Sequence, residues 1–356
     1  MRRLVIACLL GALVAAAPGA ATAGAATAPA AFAGMNVNGP VDDPAFDLAA
    51  EARTMRAAGV RSWRVEFSWD LLEPQPGSYS WAFVDRKVLA AARAGIDVLG
   101  LAVRAPQWSS GSATDPFVPP RDPKAYGRFL AALARRYGPG GALWAENPGV
   151  KPRPVRAWEI WNEPNLPIYF RAQPFMRPYA KLVRAAHASL KTVDPGSTVV
   201  LAGMANYSWR DLPKLLDADR GLRFDAVAVH PFTGRPSNVL KIIKLNRKVL
   251  AARGRRATPL WLTEMTWSSA VGKKTPLLKG WETTERGQAT RLETVFALMT
   301  RERRRLGIGR VFWYTWATRD DGSPNSFEYS GLRTTDGRPG PLRDKPALAA
   351  FKRATP

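Results

Sequence analysis

The sequence predicts an α/β fold in which eight parallel strands, each followed by a helix, close into a single (β/α)₈ barrel. Short apolar runs alternate with helix-length segments along most of the chain. Because right-handed crossovers join successive parallel strands, this number of alternating units leaves few arrangements other than a closed barrel. The alternative, an open doubly wound sheet, normally has a glycine-rich turn after its first strand, whereas residues 36–39 read Asn-Val-Asn-Gly.

The longest predicted loops indicate which end of the barrel carries the function. Loops 107–121, 265–286 and 317–344 all follow predicted strands, whereas the return at 94–95 is short. In α/β barrels the loops after the strands hold the functional residues. We therefore expect long loops and the working surface at the C-terminal face.

Periodicity and end signals place the individual elements. Strands are predicted at residues 33–37, 60–67, 96–102, 155–161, 198–202, 224–229, 259–264 and 310–314. Helices are predicted at residues 43–59, 80–94, 122–137, 176–191, near 212, 238–253, 288–306 and 346–352. Asp43-Pro44 and Asp122-Pro123 each combine a capping side chain with a first-turn proline, and Gly59 marks a helix end.

The first thirty residues have the pattern of a secretory signal. Two arginines precede an apolar run, and small residues with Ala-x-Ala spacing at 21–23 follow it. We predict that residues 1–30 are a leader, that residues 31–356 form one barrel domain, and that the mature protein is secreted. The single cysteine, Cys8, precedes the apolar core of the leader, which disfavours a lipoprotein anchor. Without disulfides, a large apolar core must stabilise the mature chain.

The formal net charge of +23 has two interpretations. Basic residues cluster at 241–248, 253–256 and 301–305, in predicted helices or at their ends. They can form a solvated outer face, or they can attract an anionic polymer such as an acidic polysaccharide. Nucleic acid is excluded as a partner, because these residues are not interleaved with aromatics in a recognisable module. After the leader, no segment approaches the roughly 20 consecutive apolar residues that a membrane span requires.

Two glutamates end apolar runs. Glu163 follows the run 155–161, and Pro164 then takes the chain out of the sheet because proline cannot donate to a strand ladder. Glu264 ends the run 259–263 in the same way. The fourth and seventh strands face each other across a barrel mouth, so the two carboxyl groups can approach to about 5 Å, the spacing of retaining glycosidases. Because close acids repel when ionised, we expect one raised pKa, which supplies a proton donor near neutral pH.

The run Trp158-Glu-Ile-Trp-Asn-Glu-Pro-Asn165 resembles the strand-four motif of the clan A glycoside hydrolases and is especially similar to that of family 39. Matching positions extend over most of the mature chain. The resemblance implies that Glu163 is the acid/base residue and that Glu264 is the nucleophile. It also implies that Asn162 binds the 2-hydroxyl of the sugar and that Arg64, on strand two, hydrogen-bonds the nucleophile.

Other strand ends extend the resemblance. His230 matches the strand-six histidine of the clan, and Trp316 matches the strand-eight tryptophan that forms a sugar platform. Trp108 falls in a segment that resembles the Pro-x-Trp segment after strand three. Aromatic faces bind the apolar side of sugar rings, so we expect Trp267, at another loop-facing end, to contact substrate as well.

Strands three and six depart from the clan pattern. Phe232 stands where the clan commonly has a tyrosine whose hydroxyl touches the nucleophile, and Tyr207 and Tyr314 are the candidates to replace it. Strand three lacks the histidine of many clan members and has Arg104 or Gln107 nearby instead. These departures bear on substrate and pH dependence more than on the class of reaction.

The remaining acids and histidines receive structural interpretations. We expect Glu66 to be an ion-pair partner, Glu159 to satisfy a buried basic or polar group, and His187 to be an ordinary helix residue. Neither a metal site nor a cofactor is predicted, because the two histidines have different contexts and the mature chain has no cysteine.

Together with the resemblance, these residues predict a secreted retaining glycoside hydrolase that cleaves O-glycosidic, β-linked bonds in oligo- or polysaccharide by double displacement. The expected partner is a carbohydrate, either neutral or anionic. Two alternatives stay open: a noncatalytic glycan-binding barrel, suggested by the altered strand six, and a transglycosylase. The sequence does not select the sugar, the linkage or the oligomeric state.

Overall fold

Eight parallel strands close into a barrel, which confirms the predicted (β/α)₈ fold. The computed structural model describes residues 31–278, 280–338 and 340–355. The predicted leader, residues 1–30, lies outside this part of the chain. The barrel strands are β1 (Ala33–Asn36), β2 (Ser62–Ser68), β3 (Asp97–Val103), β4 (Ala157–Ile160), β5 (Thr198–Met204), β6 (Ala226–Val229), β7 (Leu260–Leu262) and β8 (Ile308–Trp313). Each strand pairs in parallel with the next, and β8 pairs with β1.

Helices connect the strands and cover the outside of the barrel. They are α1 (Leu48–Ala57), α2 (Trp69–Leu72), α3 (Ala82–Ala94), α4 (Gln107–Ser110), α5 (Pro123–Tyr137), α6 (Ala142–Glu146), α7 (Met176–Val193), α8 (Ser208–Ala218), α9 (Pro236–Ala252), α10 (Glu285–Leu306) and α11 (Pro346–Ala354), with 3₁₀ turns at Pro40–Asp42 and Ser326–Tyr329. The short strands β9 (Ala317–Thr318), β10 (Arg333–Thr334) and β11 (Arg343–Asp344) form a small sheet after β8 that the sequence did not predict. Among the described helices, none combines the length and the apolar character needed to cross a bilayer.

The capping signals in the sequence predict the start of α5 correctly and the start of α1 incorrectly. The Asp122 side chain caps α5 and Pro123 is its first residue, as predicted. The predicted helix start at Asp43-Pro44 is wrong, because the Asp43 side chain closes a turn and Asp47 caps α1. Both aspartates have the same capping chemistry. The helix begins after the second one, and its buried residues are Leu48, Ala52 and Met55.

Alternate strand residues fill the barrel interior in layers. A buried floor consists of Leu99, Ala157, Val200, Ala226, Ala228, Trp261 and Phe312. Gly34 on β1 leaves room for the Phe312 ring, with which a Cβ at this position would clash. Because side chains alternate along a strand, residues two positions further on point the same way. Five inward-facing positions have a polar side chain two residues further on. In chain order, Gly34 is followed by Asn36, Ala157 by Glu159, Ala228 by His230, Trp261 by Thr263, and Phe312 by Tyr314. The faces that build the floor therefore also carry the polar layer above it.

Substituting Gly100 in β3 should test the packing outside the barrel. A Cβ at Gly100 would clash with the ring of Trp158, which is fully buried and contacts Phe67 at a ring-centroid distance of 5.2 Å. We expect Gly100→Ala to lower the free energy of unfolding by about 1–3 kcal/mol through overpacking, measured by denaturant titration. Gly149→Ala is the control, because the space around its Cβ is open, and it should change stability by less than about 0.5 kcal/mol. Equal stability of the two variants would contradict this packing argument.

Candidate active site

A cavity of about 620 Å³ opens at the C-terminal end of the barrel. Its lining includes Arg64 from β2, Asn162 and Glu163 after β4, and Glu264 after β7. The structure therefore brings both predicted glutamates and two of the predicted binding residues to one place. That place is the face where the loops after the strands lie.

A sharp backbone turn after β4 directs Glu163 into the cavity. Trp161 and Glu163 have φ angles of 67° and 40°, in the left-handed region, which costs non-glycine residues roughly 1–3 kcal/mol each. The Glu163 N–H donates to the Gly203 carbonyl at 3.2 Å, and the Trp161 indole N–H donates to the Tyr169 carbonyl at 2.6 Å. The neighbouring strand and the following loop thus hold the turn in place.

Glu163 and Glu264 form a close pair of acids. One carboxylate oxygen of each and one ring nitrogen of His230 all lie within 4.8 Å of one another. Glu163 is 6% exposed, and the Glu264 side chain is 13% exposed. Two acids this close to one another can act on a single bond of a bound molecule.

Arg64 fixes the position of Glu264. Its Nη1 donates to Glu264 Oε1 at 2.6 Å and to Asn36 Oδ1 at 3.1 Å, its Nε donates to Glu159 at 2.6 Å, and its Nη2 donates to Asn162 Oδ1 at 2.9 Å. Burial by itself would lower the pKa of Arg64, but Glu159 and Glu264 raise it above its ordinary value. The guanidinium therefore stays charged, and its planar fork orients both Glu264 and Asn162. The contact with Glu264 is the one that the resemblance implies.

His230 connects Glu163 to the barrel interior. Its Nδ1 lies 2.7 Å from Glu163 Oε1, and its Nε2 lies 3.0 Å from Thr263 Oγ1. The Thr263 hydroxyl donates to Glu159 Oε1 at 3.0 Å, and the Gly203 N–H donates to the same oxygen at 2.9 Å. Gly203 also leaves the space that the His230 ring occupies, since a Cβ there would clash with it. Glu159 is thus the partner of buried basic and polar groups that the sequence indicated.

The close acids perturb two pKa values in this cluster. Burial raises the pKa of Glu264, the charges of Glu163 and Glu159 add to the rise, and His230 and Arg64 oppose it. Burial alone would lower the pKa of His230, but the charges of Glu264 and Glu163 raise it above its ordinary value. From the sequence, we expect the raised pKa to belong to the acid that donates a proton. In the structure, the pKa of Glu264, the expected nucleophile, is the one that is raised. The physical reason is its burial beside two other acids.

Glu163, His230 and Glu264 also have the spacing of three metal ligands. However, the Arg64 guanidinium lies 2.6 Å from Glu264, and its fixed positive charge opposes a cation at this point. His230 Nδ1 is engaged with Glu163 at 2.7 Å. These residues fit an acid/base pair better than a metal site.

None of the three tryptophans predicted to contact sugar occurs among the described residues that line the cavity. Trp316 is fully buried, and its indole N–H donates to Glu51 at 2.7 Å. Trp267 is fully buried as well. The Trp108 indole N–H donates to the Glu73 carbonyl at 2.9 Å. The structure therefore does not place Trp108, Trp267 or Trp316 in the described cavity lining, because a position near a strand end does not determine which side a ring faces.

Other aromatic side chains form one wall of the cavity. Phe232, Trp281, Tyr314 and Phe327 line it, and the Phe327 ring lies 5.3, 5.0 and 5.6 Å from the rings of Phe232, Trp281 and Tyr314. Strand alternation could have indicated Tyr314, which stands two residues beyond the inward Phe312. Trp281 comes from a loop and Phe327 from the 3₁₀ turn Ser326–Tyr329, and neither lies on a strand whose period would give a direction. Phe232, which the sequence singled out only as a missing tyrosine, belongs to this aromatic wall.

Of the two candidate tyrosines, Tyr314 lies in the cavity. Its hydroxyl accepts a hydrogen bond from Asn38 Nδ2 at 2.9 Å, and burial followed by the charge of Glu264 raises its pKa. Tyr207 is 56% exposed and is absent from the described cavity lining. Glu66 also lines the cavity and accepts a hydrogen bond from the Ser68 hydroxyl at 2.6 Å. Since no ion pair to Glu66 occurs in the part of the chain that the structure describes, its ion-pair interpretation is wrong.

Known proteins share parts of this sequence. The model of glycoside hydrolase family 42, described as beta-galactosidase, matches residues 43–116. A beta-xylosidase of Caldicellulosiruptor saccharolyticus is 29% identical over 178 residues, which cover 44% of this chain and 33% of that protein. A beta-galactosidase of Thermus thermophilus is 42% identical over 50 residues, which cover 14% of this chain and 8% of that protein. The chain thus matches a third or less of the length of these relatives.

Solved structures share the barrel over nearly the whole chain. A family 39 glycoside hydrolase from Bacteroides cellulosilyticus WH2 has a TM-score of 0.66 at 23% identity, over 91% of this chain and 63% of that one. A beta-xylosidase from Caulobacter crescentus CB15 has a TM-score of 0.63 at 20% identity, over 90% of this chain and 67% of that one. These similarities establish the shared fold. In the family match and the partial match to a beta-xylosidase the chain resembles clan A glycoside hydrolases, as it does in the strand-four motif, and it shares the barrel with the solved structures, one of them of family 39.

Proposed function

We propose that the protein hydrolyses β-linked O-glycosidic bonds with retention of configuration. The observation that carries this proposal is the separation of the acids, since oxygens of Glu163 and Glu264 lie within 4.8 Å of each other. Retaining glycosidases hold their carboxyl groups about 5 Å apart, whereas inverting enzymes keep about 6.5–9.5 Å to admit a water molecule. The short separation supports direct attack on the sugar by one of the two acids.

The proposed reaction has two steps. In the first, the Glu264 carboxylate bonds to the anomeric carbon while the bond from that carbon to the leaving oxygen breaks, and the leaving oxygen takes the proton of Glu163. In the second, the Glu163 carboxylate removes a proton from water, whose oxygen bonds to the anomeric carbon and displaces Glu264. Each step inverts the anomeric centre, so the product retains the original configuration.

The surroundings of the acids support this division of roles. Arg64 holds a fixed positive charge 2.6 Å from Glu264, which favours the ionised, attacking carboxylate. Glu163 contacts His230 Nδ1 at 2.7 Å, and a histidine can give or take a proton near neutral pH. Asn162, which Arg64 holds at 2.9 Å, is the proposed partner of the sugar 2-hydroxyl.

We propose a neutral β-xyloside or β-galactoside as the substrate rather than an anionic glycan. The names of two matched relatives, beta-xylosidase and beta-galactosidase, support these sugars. Both arginines in the described cavity lining are already in ion pairs, Arg64 with Glu264 at 2.6 Å and Arg104 with Asp70 at 2.8 Å. Because each already balances a carboxylate, the binding of a further carboxylate from a uronic acid is disfavoured. The high positive charge therefore gives the anionic alternative no support inside the cavity.

A panel of aryl β-glycosides tests the proposed function. Wild-type protein should release the aryl group from a xyloside or a galactoside faster than from a glucuronide, and proton NMR should detect the β-anomer of the sugar first. A double variant, Glu163→Gln with Glu264→Gln, controls for contaminating activity. The α-anomer as first product would overturn retention. Binding of glycans without turnover would instead favour the noncatalytic alternative.

A mechanism-based sugar with fluorine at carbon 2 tests the covalent step. It should add its mass to the peptide that contains Glu264, because the slowed second step traps the intermediate. Adding acceptor sugars then separates hydrolysis from glycosyl transfer by the ratio of the two products. A label on another peptide would contradict the proposed nucleophile.

The pH dependence of kcat/KM should have an acid limb at a higher pH than an ordinary glutamate would give. Glu264 must be ionised to attack, and its burial, with the charges of Glu163 and Glu159, raises its pKa. Activity should therefore be lost as the pH falls through this raised pKa, above the value of about 4.3 of an unperturbed glutamate. Arg64→Gln removes a charge that opposes the rise and should move the limb to still higher pH. An acid limb at the pH expected for an ordinary glutamate would contradict the assignment of Glu264 as the nucleophile.

We also propose that the protein acts after export, supported by the signal pattern of residues 1–30. Expression of the full chain in a secreting host, followed by N-terminal sequencing of the protein in the medium, tests this. The N-terminal sequence of the secreted protein should begin after the stretch of small residues. Cell-associated protein that still begins at Met1 would overturn the proposal.

A further inference from the structure

A chain of hydrogen bonds leads from the proposed proton donor into the barrel interior. It runs from Glu163 to His230 at 2.7 Å, from His230 to Thr263 at 3.0 Å, from Thr263 to Glu159 at 3.0 Å and from Glu159 to Arg64 at 2.6 Å. Thr263 and Glu159 are fully buried, and neither belongs to the described cavity lining. The chain therefore lies beneath the site and ends on the arginine that also holds the proposed nucleophile.

The direction of each hydrogen bond follows from what each group can donate. Glu159 accepts from Arg64 at 2.6 Å and from the Gly203 N–H at 2.9 Å, contacts that suit a carboxylate without a proton. The Thr263 hydroxyl directs its single hydrogen to Glu159 and presents a lone pair to His230. Nε2 of His230 must then carry a hydrogen. Because a neutral imidazole has one N–H, its Nδ1 is left bare.

We infer that Thr263 and Glu159 hold His230 in its Nε2–H tautomer, so that Nδ1 shares the acid/base proton with Glu163. A bare Nδ1 at 2.7 Å from Glu163 Oε1 requires one hydrogen between the two atoms. With that hydrogen on Glu163, the carboxylic acid is ready to protonate a leaving group. Once this hydrogen has gone to the leaving group, Glu163 is the carboxylate that accepts a proton from water, which restores the shared hydrogen. Thr263 and Glu159 are thus positioning residues, and the inference rests on the proposed function of Glu163.

The charges around His230 allow the proton to occupy either atom. Among the described residues, those that act on the ring are Glu163, Glu264, whose Oε2 lies 3.8 Å from Nδ1, and Arg64. The two acids favour the imidazolium, whereas the arginine and burial oppose it. Gly203, which lies against the Nε2 edge of the ring, contributes no charge. Thr263 can accept from Nε2 in both protonation states, so the hydrogen on Nε2 stays in place while Nδ1 titrates.

Nitrogen NMR can observe this tautomer without any measure of activity. The chain has two histidines, His187 and His230, and His187 lies in α7, outside the site. Histidine-selective ¹⁵N labelling of the full-length His187→Gln variant therefore reports His230 alone. We expect Nε2 to be protonated at every pH and only Nδ1 to titrate. A neutral ring with the hydrogen on Nδ1 would overturn the inference even if no Thr263 variant folds.

Variants of Thr263 provide a second test of this inference. Thr263→Val keeps the shape of the side chain but removes the hydroxyl, and Thr263→Ser keeps the hydroxyl. We expect Thr263→Val to mix the two tautomers and to lower kcat about 10- to 100-fold, the effect of losing an outer partner, with little change in KM. The loss should be largest for poor leaving groups, and Thr263→Ser should restore both the tautomer and kcat. An unchanged tautomer in Thr263→Val would overturn the inference.

The two measurements separate the inference from the proposed function. If wild-type protein has the expected tautomer but hydrolyses no glycoside, the proposed function fails and the arrangement of His230 stands. If the protein hydrolyses glycosides while Nε2 is the bare nitrogen, the proposed function stands and this inference is overturned.

Discussion

Glu264→Ala is expected to lower kcat by about 10⁴-fold or more, the scale of removing one member of a catalytic group. Without the carboxylate no covalent intermediate can form, and Glu163 alone can only protonate the leaving oxygen. The truncated side chain leaves space below the anomeric carbon, where azide can bind and attack. Because that attack is a single displacement, the rescued product should be the α-glycosyl azide, identified by NMR.

Controls must separate lost chemistry from lost folding in the Glu264 variant. Removing this carboxylate leaves Arg64 without one of its partners, so thermal unfolding of Glu264→Ala should be compared with that of Glu264→Gln. Glu293→Ala is a matched surface control, since Glu293 pairs with Arg353 at an exposed site, where an ion pair contributes about 0–1 kcal/mol. It should retain full activity. A folded Glu264→Ala protein with substantial turnover, or with a β-azide product, would contradict its role as nucleophile.

Glu163→Ala is expected to lower kcat/KM by about 10²- to 10⁴-fold for glycosides with poor leaving groups, the typical contribution of general acid catalysis. Leaving groups that depart as stable anions need no proton, so kcat/KM for these substrates should fall much less. The measurement is a series of aryl glycosides with leaving groups of different acidity.

The product formed with azide distinguishes Glu163→Ala from Glu264→Ala. In Glu163→Ala the covalent intermediate on Glu264 still forms, and azide attacks it without needing a general base. Two displacements then give the β-glycosyl azide, the opposite anomer to that expected from Glu264→Ala. Glu163→Gln, which keeps the shape of the side chain beside His230, serves as the structural control. A loss of activity independent of the leaving group would contradict the role of Glu163 as proton donor.

The alternation of side chains along a strand made the sequence prediction possible for residues within each strand, but not beyond its end. The apolar runs located the barrel strands, and Glu163 and Glu264 were recognised because each follows such a run. The same period of two could have indicated Thr263, which stands two residues beyond Trp261 of the barrel floor. A buried threonine has no charge or motif to mark it, so its contact with His230 appears only when β6 and β7 are paired.

Beyond the strand ends the period no longer applies. β8 ends at Trp313, so Tyr314 still continues the inward face, whereas Trp316 turns towards Glu51 of α1. Trp267 likewise lies beyond the end of β7 and packs in the core. The direction of each ring depends on loop contacts between distant segments, which local sequence does not encode.

By itself, the sequence determined the barrel, the order of its strands and the two acids at opposite strand ends, because hydrophobic periodicity and strand alternation are local properties. Only the tertiary structure decided which aromatic rings line the cavity, which acid has its pKa raised by burial, and how Thr263 and Glu159 reach His230. Each of these depends on distances between residues far apart in the chain. Such distances are set when the cylinder closes and its loops pack across the mouth.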